Sequence, residues 1–293
     1  MRIAFLGLPV AALLLLEDGH ELVLAGLSGR WRTGERRLRA RLGAERVVLD
    51  PHHHWAGYLA QLERLQPDLL VSWYFTRRIP MQVVHACKGG GIGVHPSLLP
   101  RHRGPDPFFA AIDAGDDVTG VTVHRIEEDY DTGAILAQRR LPIDPSWNAW
   151  DLAKKLDRPS LSLLRQTVAA LDRGEPIDSV AQEESKATLA PFPTEEDRIV
   201  KWKWTAHTIV RRVRALAPNP GAIVSVGEMP LVLLKADTRP CFAVLRPGEA
   251  AVIGGVAVVR ALDEGVGLLQ GEFEGHRWQA SDIAHQIASL IAK

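Results

Sequence analysis

Residues 93–138 read GVHPSLLPRHRGPDPFFAAIDAGDDVTGVTVHRIEEDYDTGAILAQ, and the reading of this stretch decides the fold. A short apolar run, Ile92 to His95, ends in a histidine. Pro96, Pro100 and Pro105 punctuate the loop that follows, and a helix is expected from Phe108 to Ala114. Val118 to His124 alternates as a strand does, and an acidic loop closes at Asp131-Thr132-Gly133. Turns at the ends of buried strands are where α/β folds hold their chemistry. Loops tipped by His95 and Asp131 are therefore expected to face a common crevice.

Upstream, the pattern is that of a wound sheet. Ile3 to Leu6 is an apolar run ending at Gly7, a helical stretch reaches Glu17, and Leu22 to Ala25 is a second apolar run. This β-α-β start predicts a parallel, doubly wound sheet. Only Gly7 sits in the first turn, so no dinucleotide-binding glycine pattern is present. Arg46 to Leu49 and Asp68 to Val71 are further strands, with a helix over Trp55 to Leu65 between them. Residues 29–41, GRWRTGERRLRAR, are basic. They read either as a phosphate grip or as a solvated helix face with Leu38 and Leu42 turned inward. His52-His53-His54 lie adjacent rather than spaced as zinc ligands are, which predicts a surface turn, and no metal site is expected.

Downstream, a strand runs through Leu141 and a helix starts near Asn148, with Pro159 expected to kink or break it. The polar tract from Gln182 to Asp197 marks a domain boundary, giving domains at 1–190 and 198–293. Thr205 is placed to cap a helix whose apolar face is Ile209, Val213 and Leu216. Short strands at Ala222 to Val226, Leu231 to Leu234, Ala250 to Ile253, Val256 to Val259 and Gly267 to Leu269 follow. They predict a small OB-like barrel, closed by a helix from Ser281 with Ile283, Ile287, Leu290 and Ile291 inward.

Composition fits these readings. Apolar residues make up 46% of the chain and charged ones 24%, values usual for a soluble globular protein. A net charge of +0 implies no global attraction to nucleic acid or anionic membrane. The apolar run near the N-terminus is too short to span a bilayer, and Cys87 and Cys241 form no paired motif. A cytoplasmic protein with inert thiols is the expectation.

The central stretch resembles the 10-formyltetrahydrofolate-dependent formyltransferases, whose catalytic segment reads N-x-H-x-S-L-L-P, then R-G, T-G-V-T and D-x-G. His95, Ser97-Leu98-Leu99-Pro100, Arg103-Gly104, Thr119-Gly120-Val121-Thr122 and Asp131-Thr132-Gly133 fall in step. The segment from Asp197 to Trp202, with Val213-Arg214-Ala215 and Pro220-Gly221-Ala222, resembles the family's C-terminal domain. One position departs, because Gly93 stands where the family has its catalytic asparagine. The resemblance implies a Rossmann-like α/β formyltransferase domain followed by the smaller OB-like barrel domain. It is nearest to enzymes that formylate nucleotide-linked amino sugars.

What the resemblance implies for chemistry is transfer of a formyl group from 10-formyltetrahydrofolate, as co-substrate, to an amine of a small metabolite such as a nucleotide-linked amino sugar. His95 is then the acid-base group and Asp131 the carboxylate that orients it, with Gly93 as the altered third position. Arg77, Arg78 and Ile79, with the acidic loop Glu127, Glu128, Asp129 and Tyr130, are implied to form the pterin pocket. Losing one oxyanion donor typically costs about 10² to 10³ in rate, which weakens formyl transfer without abolishing it. Glycine also clears volume for a water or a substrate group, and Gly89-Gly90-Gly91 offers main-chain N–H groups as substitute donors. Formylation of initiator methionyl-tRNA is the first alternative, disfavoured by the shortened basic region. Altered chemistry, such as hydrolysis or another one-carbon transfer, and ligand binding without turnover are the others.

Overall fold

The computed structural model describes residues 1–28, 32–242 and 244–291. Gly29, Arg30 and Trp31 of the basic stretch lie outside them. In chain order the elements begin with β1 (Arg2–Gly7), α1 (Pro9–Glu17), β2 (Glu21–Leu27), α2 (Glu35–Leu42), β3 (Val47–Leu49) and α3 (Trp55–Leu65). Next come β4 (Leu69–Trp73), α4 (Met81–His85), β5 (Gly91–His95), α5 (Pro107–Ala114), β6 (Val118–Arg125), β7 (Ile135–Pro142) and α6 (Ala149–Asp172). The last are α7 (Ala206–Leu216), β8 (Ala222–Val226), β9 (Met229–Arg239), β10 (Ala250–Ile253), β11 (Val256–Arg260), β12 (Gly265–Phe273), β13 (His276–Gln279) and α8 (Ala280–Ile291).

The chain forms two compact units. The first comprises Met1–Pro105, Val118–Pro142 and Lys155–Leu189. It holds a seven-stranded sheet of order β3-β2-β1-β4-β5-β6-β7. Strands β1 to β5 are parallel, whereas β6 pairs antiparallel with both β5 and β7, so the sheet is mixed rather than wholly parallel. The winding reverses between β1 and β4, and such a switch point opens a crevice at the carboxyl ends of the strands. The inner strands are apolar on both faces because helices cover both, and Ile3, Phe5, Leu70 and Ile92 are fully buried.

Pro159 does not break α6, which runs unbroken through it. The apolar stripe of Leu152, Leu156, Leu163, Leu164 and Val168 continues across the proline. A stripe of that length buries enough area to offset one missing hydrogen bond. In α2, Leu38 and Leu42 are buried as the solvated-face reading predicts.

The second unit comprises Asp106–Asp117, Ile143–Lys154 and Ala190–Lys293. Its antiparallel sheet has the order β10-β11-β12-β9-β8, with β13 paired to β12. The core joins Ile209, Val213 and Leu216 of α7 to Leu233, Val259 and Leu268 of the sheet and to Ile283 and Ile287 of α8. Thr205 accepts from the Thr208 amide at 3.3 Å, so it caps α7 as expected. Leu290 and Ile291 depart from expectation, being 38% and 55% exposed in the last turn of α8.

Candidate active site

β5 and β6 pair with His95 opposite Thr122 and Gly93 opposite His124. Residues two apart share a face of a strand, so all four belong to one face. His95 and His124 are each 5% exposed. Between them sits Asp131, with His95 Nδ1 at 3.3 Å from its Oδ2 and His124 Nε2 at 3.5 Å from its Oδ1. The Gly104 amide donates to Oδ2 at 2.9 Å. The loops tipped by His95 and Asp131 thus meet through a direct contact between their side chains.

The remote nitrogens of both rings are committed to main-chain oxygens. His95 Nε2 lies 2.8 Å from the carbonyl of His102, and His124 Nδ1 lies 2.7 Å from that of Arg125. A carbonyl only accepts, so the hydrogen of each neutral ring sits on the nitrogen turned away from Asp131. Burial lowers the affinity of His124 for a second proton, ahead of the opposing pull of Asp131. His95 Nε2 is therefore not a free base, which sequence reasoning had no means to foresee.

Polar contacts hold the loops that carry these groups. The Thr122 hydroxyl donates to Ser97 O at 2.7 Å and accepts from the Leu99 amide at 3.1 Å. Gln138 donates to Leu99 O and to the Thr122 oxygen, both at 2.9 Å. Arg103 forks onto Glu184 at 2.7 and 2.9 Å and onto the Gln182 oxygen. Gln182 in turn donates to the carbonyls of Asp131 and Gly133 at 2.7 Å. The sequence-predicted Arg103 thereby braces the Asp131 turn from behind. Asp131 itself has left-handed φ of 57°, and a Cβ on Gly133 would lie 1.9 Å from Arg125 O, so only glycine fits there.

The volume off Gly93 is not left to a water or a substrate group. A Cβ on that residue would meet His124 Nε2 at 2.9 Å and Cε1 at 3.1 Å, so the imidazole fills it. Two of the three upstream glycine amides are not spare donors, since Gly89 N donates to Asp68 O and Gly90 N to Cys87 O. His124 is the site residue that sequence reasoning missed. Its signal was the period-two run Gly120, Thr122, His124, but the pairing with Gly93 exists only through strand register.

The remaining expected residues separate. Arg78 donates to Glu128 O at 3.1 Å and lies near the Glu128 and Asp129 carboxylates, tying the loop after β4 to the acidic loop. Glu127 and Tyr130 are exposed, Tyr130 by 53%. Ile79 is buried with Ala4, Leu6 and Leu70 in the core. Arg77 lines a cavity of about 470 Å³ with Ser28, Arg32, Asp50, His52, His53 and Thr76. In the second unit, Asp106 accepts from the Phe109 amide at 3.0 Å and caps α5. Among the described residues no group of three or more histidine, cysteine or acidic side chains is arranged to hold a metal ion, and no helix is long and apolar enough to cross a membrane.

Comparison with known proteins places this geometry. Residues 50–168 match the formyl transferase family and residues 193–285 match the formyl transferase C-terminal domain. The chain is 34% identical, over 303 aligned positions, to a methionyl-tRNA formyltransferase of Anaeromyxobacter dehalogenans, covering 97% of this chain and 96% of the relative. Among solved structures it is similar to HypX from Aquifex aeolicus in complex with tetrahydrofolic acid, with a TM-score of 0.67 and 22% identity. That match covers 98% of this chain but only 47% of HypX. An N-formyltransferase from Helicobacter canadensis, in complex with folinic acid and dTDP-3-aminofucose, aligns with a TM-score of 0.71 and 15% identity over 93% of this chain and 100% of that one. With both family matches in sequence order and one-third identity over nearly the full length of a relative, the chain belongs to the formyl transferase family.

Proposed function

We propose that the chain moves a formyl group from 10-formyltetrahydrofolate to a primary amine of an acceptor. The observation that carries this reading is the contact of His95 Nδ1 with Asp131 Oδ2 at 3.3 Å, braced by the Gly104 amide. Attack of an amine on a formyl carbon builds positive charge on nitrogen and negative charge on oxygen. The Asp131 carboxylate, set between two imidazoles, answers the charge that builds on nitrogen. The exposed Tyr130 ring offers a stacking face for a flat heteroaromatic group, and Arg78 holds the acidic loop beside it.

The acceptor favoured here is a small amine, such as a nucleotide-linked amino sugar. Arg32, Arg37 and Arg39 of the basic stretch are paired with Asp50, Glu17 and Glu35, which leaves fewer free cations for a tRNA backbone. Methionyl-tRNA is the second reading, favoured by the 34% identity to a methionyl-tRNA formyltransferase. Incubating the protein with 10-formyltetrahydrofolate and either acceptor tests both. A formylated amino sugar is the expected product, formylated methionyl-tRNA supports the second reading, and release of formate alone sinks transfer altogether.

A further inference from the structure

The reading above gives His124 no role of its own, yet it shares the Asp131 carboxylate with His95 and occupies the space that glycine at position 93 leaves open. Its Nδ1 hydrogen is spent on Arg125 O, so Nε2 of the neutral ring is a lone pair facing Asp131 Oδ1. Asp131 is the most exposed of the three side chains, at 18% against 7% for each histidine. It is the natural point of contact with an incoming amine.

We propose that His124 is the proton store of the site: the proton lost by the attacking amine crosses Asp131 Oδ1 and rests on His124 Nε2 until the leaving nitrogen takes it back. This rests on the formyl-transfer reading. As the amine nitrogen bonds to the formyl carbon, the carbonyl electron pair moves to oxygen and the N–H proton passes through Asp131 to Nε2. The resulting imidazolium donates to Asp131 on one side and to Arg125 O on the other. Collapse re-forms C=O and breaks the bond from carbon to the folate nitrogen, which receives the stored proton. The ring ends neutral, with no oxidant or reductant involved.

Geometry supports this route, because His124 Nε2 lies 3.5 Å from Asp131 Oδ1 while the other ring nitrogen is held by Arg125 O. Asp131 favours the charged ring, while burial, His95 and Arg103 oppose it, and burial is the largest influence. The ring thus begins neutral and able to accept. His124 acts through Asp131, so it is a positioning residue rather than one that touches substrate. Gly93 is required because a Cβ there would displace the ring.

The test uses the full chain with 10-formyltetrahydrofolate and, separately, methionyl-tRNA and a nucleoside-diphosphate-linked amino sugar. His124→Gln is expected to lower kcat by about 10² to 10⁴ while KM for the folate moves by less than about threefold. The acid limb of the wild-type kcat profile is expected to vanish in that variant. Unchanged kcat, or an acid limb that persists, overturns the proposal. If the wild-type protein formylates neither acceptor, the formyl-transfer reading itself fails. Nitrogen-15 NMR of the histidines in the wild-type protein then decides the ring chemistry. A bare Nε2 at neutral pH that gains a proton on acidification supports the store, and a neutral Nε2–H tautomer overturns it.

Discussion

Gly93 and His124 face each other across β5 and β6 so closely that a Cβ on Gly93 would lie 2.9 Å from His124 Nε2. Contacts of that length do not occur, so Gly93→Ala must push a buried imidazole off its bond to Arg125 O. A stability loss of about 1–3 kcal/mol is expected from the overpacking. The added change His124→Ala opens the space again, so the two substitutions should be strongly non-additive. A double-mutant cycle in urea reads this, and additivity within about 0.5 kcal/mol would show that the ring is not displaced.

Asp131→Asn keeps the size of the side chain and an acceptor for the Gly104 amide, but removes the charge shared by His95 and His124. Turnover should fall by about 10² to 10⁴ with folding retained. Steady-state kinetics beside circular dichroism separates the two effects. Near-normal turnover in a folded variant would remove the carboxylate from the mechanism.

His95→Ala should abolish turnover and also carry a structural cost. The His102 carbonyl loses a buried donor, which typically costs about 1–3 kcal/mol. Chemical denaturation of the variant should therefore show a lower midpoint with an unchanged slope. A midpoint equal to wild type would mean that water replaces the ring without penalty.

Acid should destabilise the fold through its buried histidines. His20 and His124 both hold their protons less tightly than an ordinary histidine, in each case chiefly because of burial. His20 is further opposed by the N-terminal ammonium. The folded values lie below the unfolded value of about 6.5, so between the two the unfolded chain binds more protons and stability rises with pH. This contribution is complete above the unfolded value and is lost as pH falls through the folded ones. Melting temperatures from neutral pH downward should drop, and His20→Gln should flatten that slope. An identical slope in the variant would assign the effect to other groups.

Arg212 anchors the second unit and is expected to resist conservative replacement. It forks onto Asp113 at 2.6 and 2.9 Å and stacks on Phe109 and Trp204, with its guanidinium carbon 5.6 and 5.4 Å from their ring centres. Lysine supplies the charge without the fork or the flat stacking face. Arg212→Lys should lose about 1–3 kcal/mol in a denaturant melt followed by tryptophan fluorescence. A loss below about 0.5 kcal/mol would reduce the arrangement to a surface ion pair.

Local rules were enough for much of this fold. Alternation from Val118 to His124 marked β6, Thr205 was identifiable as a helix cap, and the apolar spacing of Leu38 and Leu42 matched the buried face of α2. These features depend on residues within a few positions of each other, where periodicity and hydrogen-bonding chemistry act directly. Pro159 does not break α6, because packing of the whole length of the helix, a nonlocal gain, outweighs one local defect.

The sequence by itself determined the wound α/β start, the loops tipped by His95 and Asp131, and the resemblance that implied their chemistry. Tertiary structure alone decided what glycine at position 93 is for. His124 lies thirty-one positions downstream, and only the antiparallel register of β5 and β6 sets its ring over that glycine and against Asp131. The tautomers of both histidines were likewise decided by which carbonyls the folded loops bring within reach, because a ring's hydrogen follows its acceptor and no local pattern names that acceptor.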